Sequence, residues 1–253
     1  MQSSLPESDL PGPLESPAVT GAADPVQGVA GELKAVLWDM DGTLVDTEPY
    51  WIASESALVA EYGGQWSHQQ AMALVGQSLW HSAGVLQEAG VALSKREIID
   101  EMTARVIERI RVRLPWRPGA RELLTDLREK QLRCALVTMS EAPLVREVVA
   151  ALPAGTFEFT VTGDQVEQGK PHPEPYLRAI AHLAQSDPEL GVENCIALED
   201  SLPGVQSALS AGLLTIGIPH TVPLPEDPRR ITWSTLQERY AEDLFLLKAQ
   251  AGQ

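Results

Sequence analysis

The residues best suited to chemistry form two acidic pairs. Asp39 and Asp41 stand two residues apart in the run Asp39-Met40-Asp41-Gly42-Thr43-Leu44, directly after a short apolar stretch. Carboxylates released together at a strand end and followed by glycine can share one metal ion and expose backbone amides to an anion. A bare Asp-x-Asp-Gly also serves calcium loops and ordinary turns, so this spacing alone decides nothing. The second pair, Glu199-Asp200, follows the apolar run from Cys195 to Leu198 and precedes Ser201 and Gly204. If both runs are parallel strands of one sheet, the acids meet at one rim. Their mutual repulsion would raise their proton affinity unless a divalent cation neutralises them. Magnesium, a hard ion that takes a few carboxylates, water and substrate phosphate, is the natural candidate.

Opposite charge is available in Gly169-Lys170-Pro171-His172-Pro173, where the prolines restrict the backbone and hold Lys170 as a point charge for phosphate. Thr138 ends another apolar run and offers a hydroxyl, with the amides of Met139 and Ser140 beside it. Each also has a plainer reading: a solvated acidic loop, a surface lysine, a strand-end threonine.

Elements able to position these groups are visible as short apolar runs at 34–39, 133–138, 158–162, 194–198 and 213–218, separated by helical stretches. That alternation predicts a parallel sheet covered by helices on both faces, with ligands bound at the carboxyl ends of the strands. Residues 47–115 do not alternate and read as helix throughout. There Ser94 and Glu97 make a capping box, Ile98, Met102, Val106 and Ile110 form one apolar stripe, and helices end at Gly63-Gly64 and near Gly90. A helical insertion after the first strand predicts a cap (47–115) over an α/β core built from 33–46 and 116–253. Core helices are expected near Pro118 and Pro143, around 173–185, and from Pro203 to Gly212.

Residues 1–32 carry five prolines and no aromatic residue, a composition that predicts a disordered tail. The chain as a whole is globular in composition, 44% hydrophobic and 21% charged, and its formal charge of -16 argues against nonspecific binding to nucleic acid or anionic membranes. Cys134 and Cys195 lie in separate apolar runs and read as core fillers, which suits a reducing compartment. No apolar run is long enough to span a bilayer, and no basic residue precedes Lys34 as a signal peptide would require. The expectation is a cytoplasmic protein, and a monomer, since cap and core cover each other.

Taken in order, DMDGTL at 39–44, VTMS around Thr138, GKPHPEPY around Lys170 and LEDS at 198–201 resemble the four motifs of the haloacid dehalogenase superfamily. The stretch Asp46-Thr47-Glu48-Pro49 is similar to the subgroup with a helical cap, which includes sugar-phosphate phosphatases and β-phosphoglucomutase. The resemblance implies a Rossmann-like core with an inserted helical cap and magnesium-dependent hydrolysis of a small phosphorylated metabolite. It assigns Asp39 as nucleophile and Asp41 as general acid and base. It gives the metal to Asp39, the Asp41 main-chain carbonyl, Asp200 and Glu199, and the phosphate to Thr138, Met139, Lys170 and the amides after Asp39, Gly42 among them. Glu48 and Ser78 are expected to face the substrate, together with Trp51, Gly76 and Gln77. Trp51 stands where the mutase has a proton-transferring histidine, which an indole cannot replace, so a phosphomutase is the second reading. A phosphonate hydrolase would need a cap lysine, and the cap holds only Lys95. A true dehalogenase usually lacks the second aspartate, present here as Asp41, and a noncatalytic binding protein has no need of all four motifs.

Overall fold

The computed structural model describes residues 31–251, so all but the last two residues of the expected tail lie outside the described residues. Among the described residues six parallel strands form one sheet in the order β3-β2-β1-β4-β5-β6. They are β1 (Ala35–Trp38), β2 (Arg133–Val137), β3 (Phe159–Val161), β4 (Cys195–Glu199), β5 (Leu214–Gly217) and β6 (Ile231–Thr232). Five fall within the runs expected from sequence or extend one by a single residue. The parallel α/β fold holds as expected.

Side chains alternate across the sheet, and both faces are buried. On β1, Val36 and Trp38 point to one layer with Leu136 and Leu198, while Ala35 and Leu37 point to the other with Ala135 and Ala197. The large residues meet α5 (Ala120–Glu129), α6 (Ala142–Ala150) and α9 (Ala241–Ala251) through Leu123, Leu144 and Leu244. The alanine-rich face admits the bulkier α7 (Glu174–Leu183), through Tyr176, Ala179 and Leu183, together with α8 (Leu202–Ser210). Burying a side chain such as Leu37 stabilises the fold by about 1.5–3 kcal/mol, which accounts for the continuous apolar runs of a sheet covered on both sides.

Between β1 and β2 lie α1 (Glu48–Glu61), α2 (His68–Leu74), α3 (Leu79–Glu88) and α4 (Lys95–Val112). The Ser94–Glu97 capping box starts α4, and Gly63 and Gly90 take positive φ just past α1 and α3. The apolar stripe of α4 divides its duties. Ile98 and Met102 join Leu58, Val59 and Leu86 in a separate cluster, whereas Val106 and Ile110 pack into the large-residue layer of the sheet. Two backbone crossings tie this helical segment to the sheet, Asp46 N–H to Pro115 carbonyl at 2.7 Å and Arg117 N–H to Leu44 carbonyl at 3.0 Å. Among the described residues no helix is long and apolar enough to cross a membrane.

Candidate active site

Strand register brings the acids together. Trp38 pairs with Leu198 of β4 and with Leu136 of β2, so Asp39 emerges beside Glu199 and Val137, with Asp200 and Thr138 one residue further. The chain order 3-2-1-4 reverses direction at β1, and ligands of open α/β sheets bind at that switch point. Asp39 N–H donates to the Leu198 carbonyl at 3.0 Å, which fixes the exit of the chain from β1.

Lys170 reaches this rim from the turn before α7, with its side chain 4% exposed. Its Nζ donates to Asp39 Oδ1 at 2.7 Å and to the Val137 carbonyl at 2.8 Å, and lies 2.6 Å from Glu199 Oε1. Burial alone would lower its proton affinity, but Asp39 and Glu199 outweigh burial, so the ammonium is held charged. The Tyr176 hydroxyl of α7 donates to the same Glu199 oxygen at 2.6 Å, and its ring centroid lies 5.3 Å from Lys170 Nζ. Burial and the Glu199 charge push the phenol well above its ordinary pKa, so it stays a donor.

The acids outnumber this cation. Asp39, Glu199 and Asp200 are buried, and each offers an oxygen within 4.8 Å of the others. Burial first, then Glu199, lifts Asp39 to about 7 despite Lys170, and burial with Asp39 and Glu199 lifts Asp200 well above its ordinary value. Asp39 Oδ2 and Glu199 Oε2 are buried with no hydrogen-bond partner among the described residues. Orphaned carboxylate oxygens in such surroundings are costly unless a cation fills the space between them. The donor set, all hard oxygens, fits magnesium.

Two glycines make room for this packing. Gly42 has φ +89°, and a Cβ there would stand 2.1 Å from Asp200 Oδ2. At Gly204, in the first turn of α8, a Cβ would stand 1.9 Å from Glu199 Oε2. The Gly42 N–H is spent on the Val45 carbonyl at 2.7 Å. The expectation that this amide binds phosphate is therefore corrected: Gly42 lets the Asp200 carboxylate approach the backbone and has no amide to spare.

Asp41 is half-buried and gathers four donors. Its Oδ1 accepts from the Thr47 hydroxyl and from Trp51 Nε1 at 3.3 Å, and its Oδ2 accepts from Ser140 Oγ at 2.6 Å and Thr138 Oγ1 at 3.4 Å. Met139 lies beside them, its Sδ accepting from the Lys170 N–H at 3.2 Å.

Above this rim lies a cavity of about 110 Å³ between the sheet and the helices α1 to α4. Asp39, Asp41, Thr138, Met139, Lys170 and Asp200 border it on the sheet side, and Glu48, Trp51, Gly76 and Gln77 on the helical side. Ser78 is not among its lining residues. It is exposed and caps α3, its hydroxyl accepting from the His81 N–H at 3.2 Å, so the expected substrate contact is corrected to a helix cap. Tyr176 and Glu55 were not foreseen. Tyr176 sits at an apolar helical position and reads as core, while Glu55 stands one turn past Trp51 on α1 with nothing in its spacing to mark it.

The chain belongs to the haloacid dehalogenase-like hydrolase family, whose model matches residues 36–218. It is 28% identical to hexitol phosphatase B of Escherichia coli strain K12 over 85% of this chain and 97% of that protein. It is 32% identical to a phosphorylated carbohydrates phosphatase of Thermotoga maritima over 75% of this chain and 87% of the relative. The crystal structure of CbbY from Rhodobacter sphaeroides in complex with phosphate has the same fold, with a TM-score of 0.75 at 24% identity over 84% of this chain and 99% of that one.

Proposed function

We propose that the protein is a magnesium-dependent phosphatase that releases phosphate from a small phosphorylated metabolite, a sugar or sugar-alcohol phosphate. The observation that carries this reading is Asp39, a buried carboxyl that lines the cavity, with one oxygen on Lys170 and the other without a partner among the described residues. The names of the phosphatase relatives support it.

In this reading an Asp39 oxygen attacks phosphorus, the ester bond breaks, and Asp41 gives its proton to the departing oxygen. Asp41 then takes a proton from the water that attacks the acyl phosphate, which frees phosphate and restores Asp39. The covalent step divides one difficult hydrolysis into two easier displacements. Lys170, the Thr138 hydroxyl and the amides following Asp39 and Thr138 bind the phosphoryl oxygens. The hydroxyls of Thr47, Thr138 and Ser140 can turn between Asp41 and a substrate oxygen, so the proton carrier is oriented before substrate arrives. Asp39, the Asp41 main-chain carbonyl and Asp200 would hold magnesium, with Glu199 joining directly or through water. When bound, the ion offsets the repulsion between nucleophile and phosphoryl group.

Residues 47–115 act as a cap on a catalytic core of 33–46 and 116–253. Trp51 donates its Nε1–H to Asp41, but an indole acts as neither acid nor base near neutral pH, which favours hydrolysis over phosphoryl transfer between sugar hydroxyls. The two cysteines are free and buried, as suits a cytoplasmic enzyme, and we take it to act as a monomer. A panel of phosphorylated metabolites, assayed with magnesium and with EDTA, tests the proposal. Magnesium-dependent phosphate release from at least one is expected, and interconversion of hexose phosphates with no release would overturn it.

A further inference from the structure

The cavity is charged unevenly. Among the described residues, Lys170 is the only basic side chain that lines it, and Lys170 is engaged with Asp39 and Glu199 at the sheet rim. The helical wall that faces the rest of a substrate carries two carboxyls instead, Glu48 and Glu55, 9% and 5% exposed. Between and beyond them the wall is apolar, with Ile52, Leu74 and Met102 among its members. Glu55 Oε2 is buried and has no hydrogen-bond partner among the described residues. Trp66 lies close enough to temper the Glu55 charge, yet neither Trp66 Nε1 nor Glu55 Oε2 completes a hydrogen bond.

We infer that this cavity takes esters bearing a single phosphate on an uncharged, hydroxyl-bearing residue and rejects esters with a second phosphate, and that Glu55 is the cap residue that binds a substrate hydroxyl. The inference rests on the phosphatase reading above and narrows its substrate class. A second phosphate pressed against this wall would lose its water and find no cation in exchange. An ionised Glu48 or Glu55 would repel it, and a protonated one would supply a single O–H and no compensating charge. Unpaired buried charge of this kind costs several kcal/mol. A sugar-alcohol hydroxyl, in contrast, can donate to Glu55 when it is ionised and accept from it when it is protonated. In either state the orphaned oxygen gains a partner. An unpartnered buried acceptor is what makes a pocket select for a hydroxyl, since an analogue lacking it leaves the protein group unsatisfied.

The test compares kcat/KM for sorbitol monophosphate, sorbitol bisphosphate and p-nitrophenyl phosphate, all with magnesium. The monophosphate is expected to exceed the bisphosphate at least about a hundredfold, as an unpaired buried charge implies. In Glu55→Leu, the preference for sorbitol monophosphate over p-nitrophenyl phosphate is expected to fall about tenfold, the loss of one hydrogen bond to a buried charged or polar partner. A bisphosphate turned over as readily as the monophosphate, or a preference unchanged in Glu55→Leu, would overturn the inference while leaving the phosphatase reading intact. No Asp39-dependent turnover of any of the three esters would overturn both.

Discussion

Replacing Glu55 with glutamine makes the protein more stable in alkaline solution and changes it little in acid. The side chain is 5% exposed, and burial, opposed by the neighbouring Trp66 and helped a little by Glu48, moves its pKa from 4.5 to about 8. A carboxyl held above its unfolded pKa contributes fully below that unfolded value, and the contribution is lost as pH rises through the folded value. Each tenfold change in proton affinity is worth about 1.4 kcal/mol, so the ionised group costs the fold up to about 5 kcal/mol at about pH 9. Water entering the cavity beside Glu55 screens part of that charge, which leaves roughly 2–3 kcal/mol to be measured. For a chain of this size each kcal/mol moves the melting temperature by about 2–4 °C. Calorimetry in EDTA should therefore find Glu55→Gln melting about 5–10 °C above the wild type at about pH 9, and within about 2 °C of it at about pH 4.5. A difference that is the same at both values, or a wild type that gains stability through this range relative to the variant, would refute the desolvation argument.

Other substitutions probe the rim and its support. Asp39→Asn should lower phosphate release by at least about a thousandfold with the fold intact by circular dichroism, because the proposed nucleophile is gone. Gly42→Ala places a methyl group 2.1 Å from Asp200 Oδ2 and forces φ +89° on a residue with a Cβ. The magnesium concentration for half-maximal activity should rise at least about tenfold, measured by titration into the chelated enzyme. Arg96 donates twice to Glu141, at 2.7 and 2.8 Å, and so ties α4 to the start of α6. With a half-exposed guanidinium that bridge is worth about 1 kcal/mol, so Arg96→Ala should melt about 2–4 °C lower in thermal denaturation.

Much of the rim was legible because strand ends are. The apolar runs before Asp39, Thr138 and Glu199 read as strands of a parallel sheet, and once the structure sets them side by side they deliver their next residues to one edge. What followed was hidden by contact chemistry that spacing does not encode. Ser78 reads as a polar residue of a loop between helices, yet its hydroxyl is taken up where α3 starts. The amide of Gly42 points into its own turn, a direction that composition does not reveal. Tyr176 packs as a core residue and still lends its hydroxyl to Glu199, because the small alanines of the sheet let its ring lie beneath the site. Two elements escaped altogether. The strand Ile231–Thr232 is too short to show alternation. In α9 the apolar residues form no clean stripe, since Leu244 is buried while Phe245 and Leu246 are exposed.

In the proposed mechanism every phosphoryl group passes through the Asp39 carboxyl. Rapid acid quench during turnover with magnesium, followed by peptide mass spectrometry, tests this most directly. The peptide containing Asp39 should carry a phosphoryl group in the wild type, and none in EDTA or in Asp39→Asn. Steady turnover with no adduct on Asp39, or an adduct on a different residue that persists in Asp39→Asn, would contradict it.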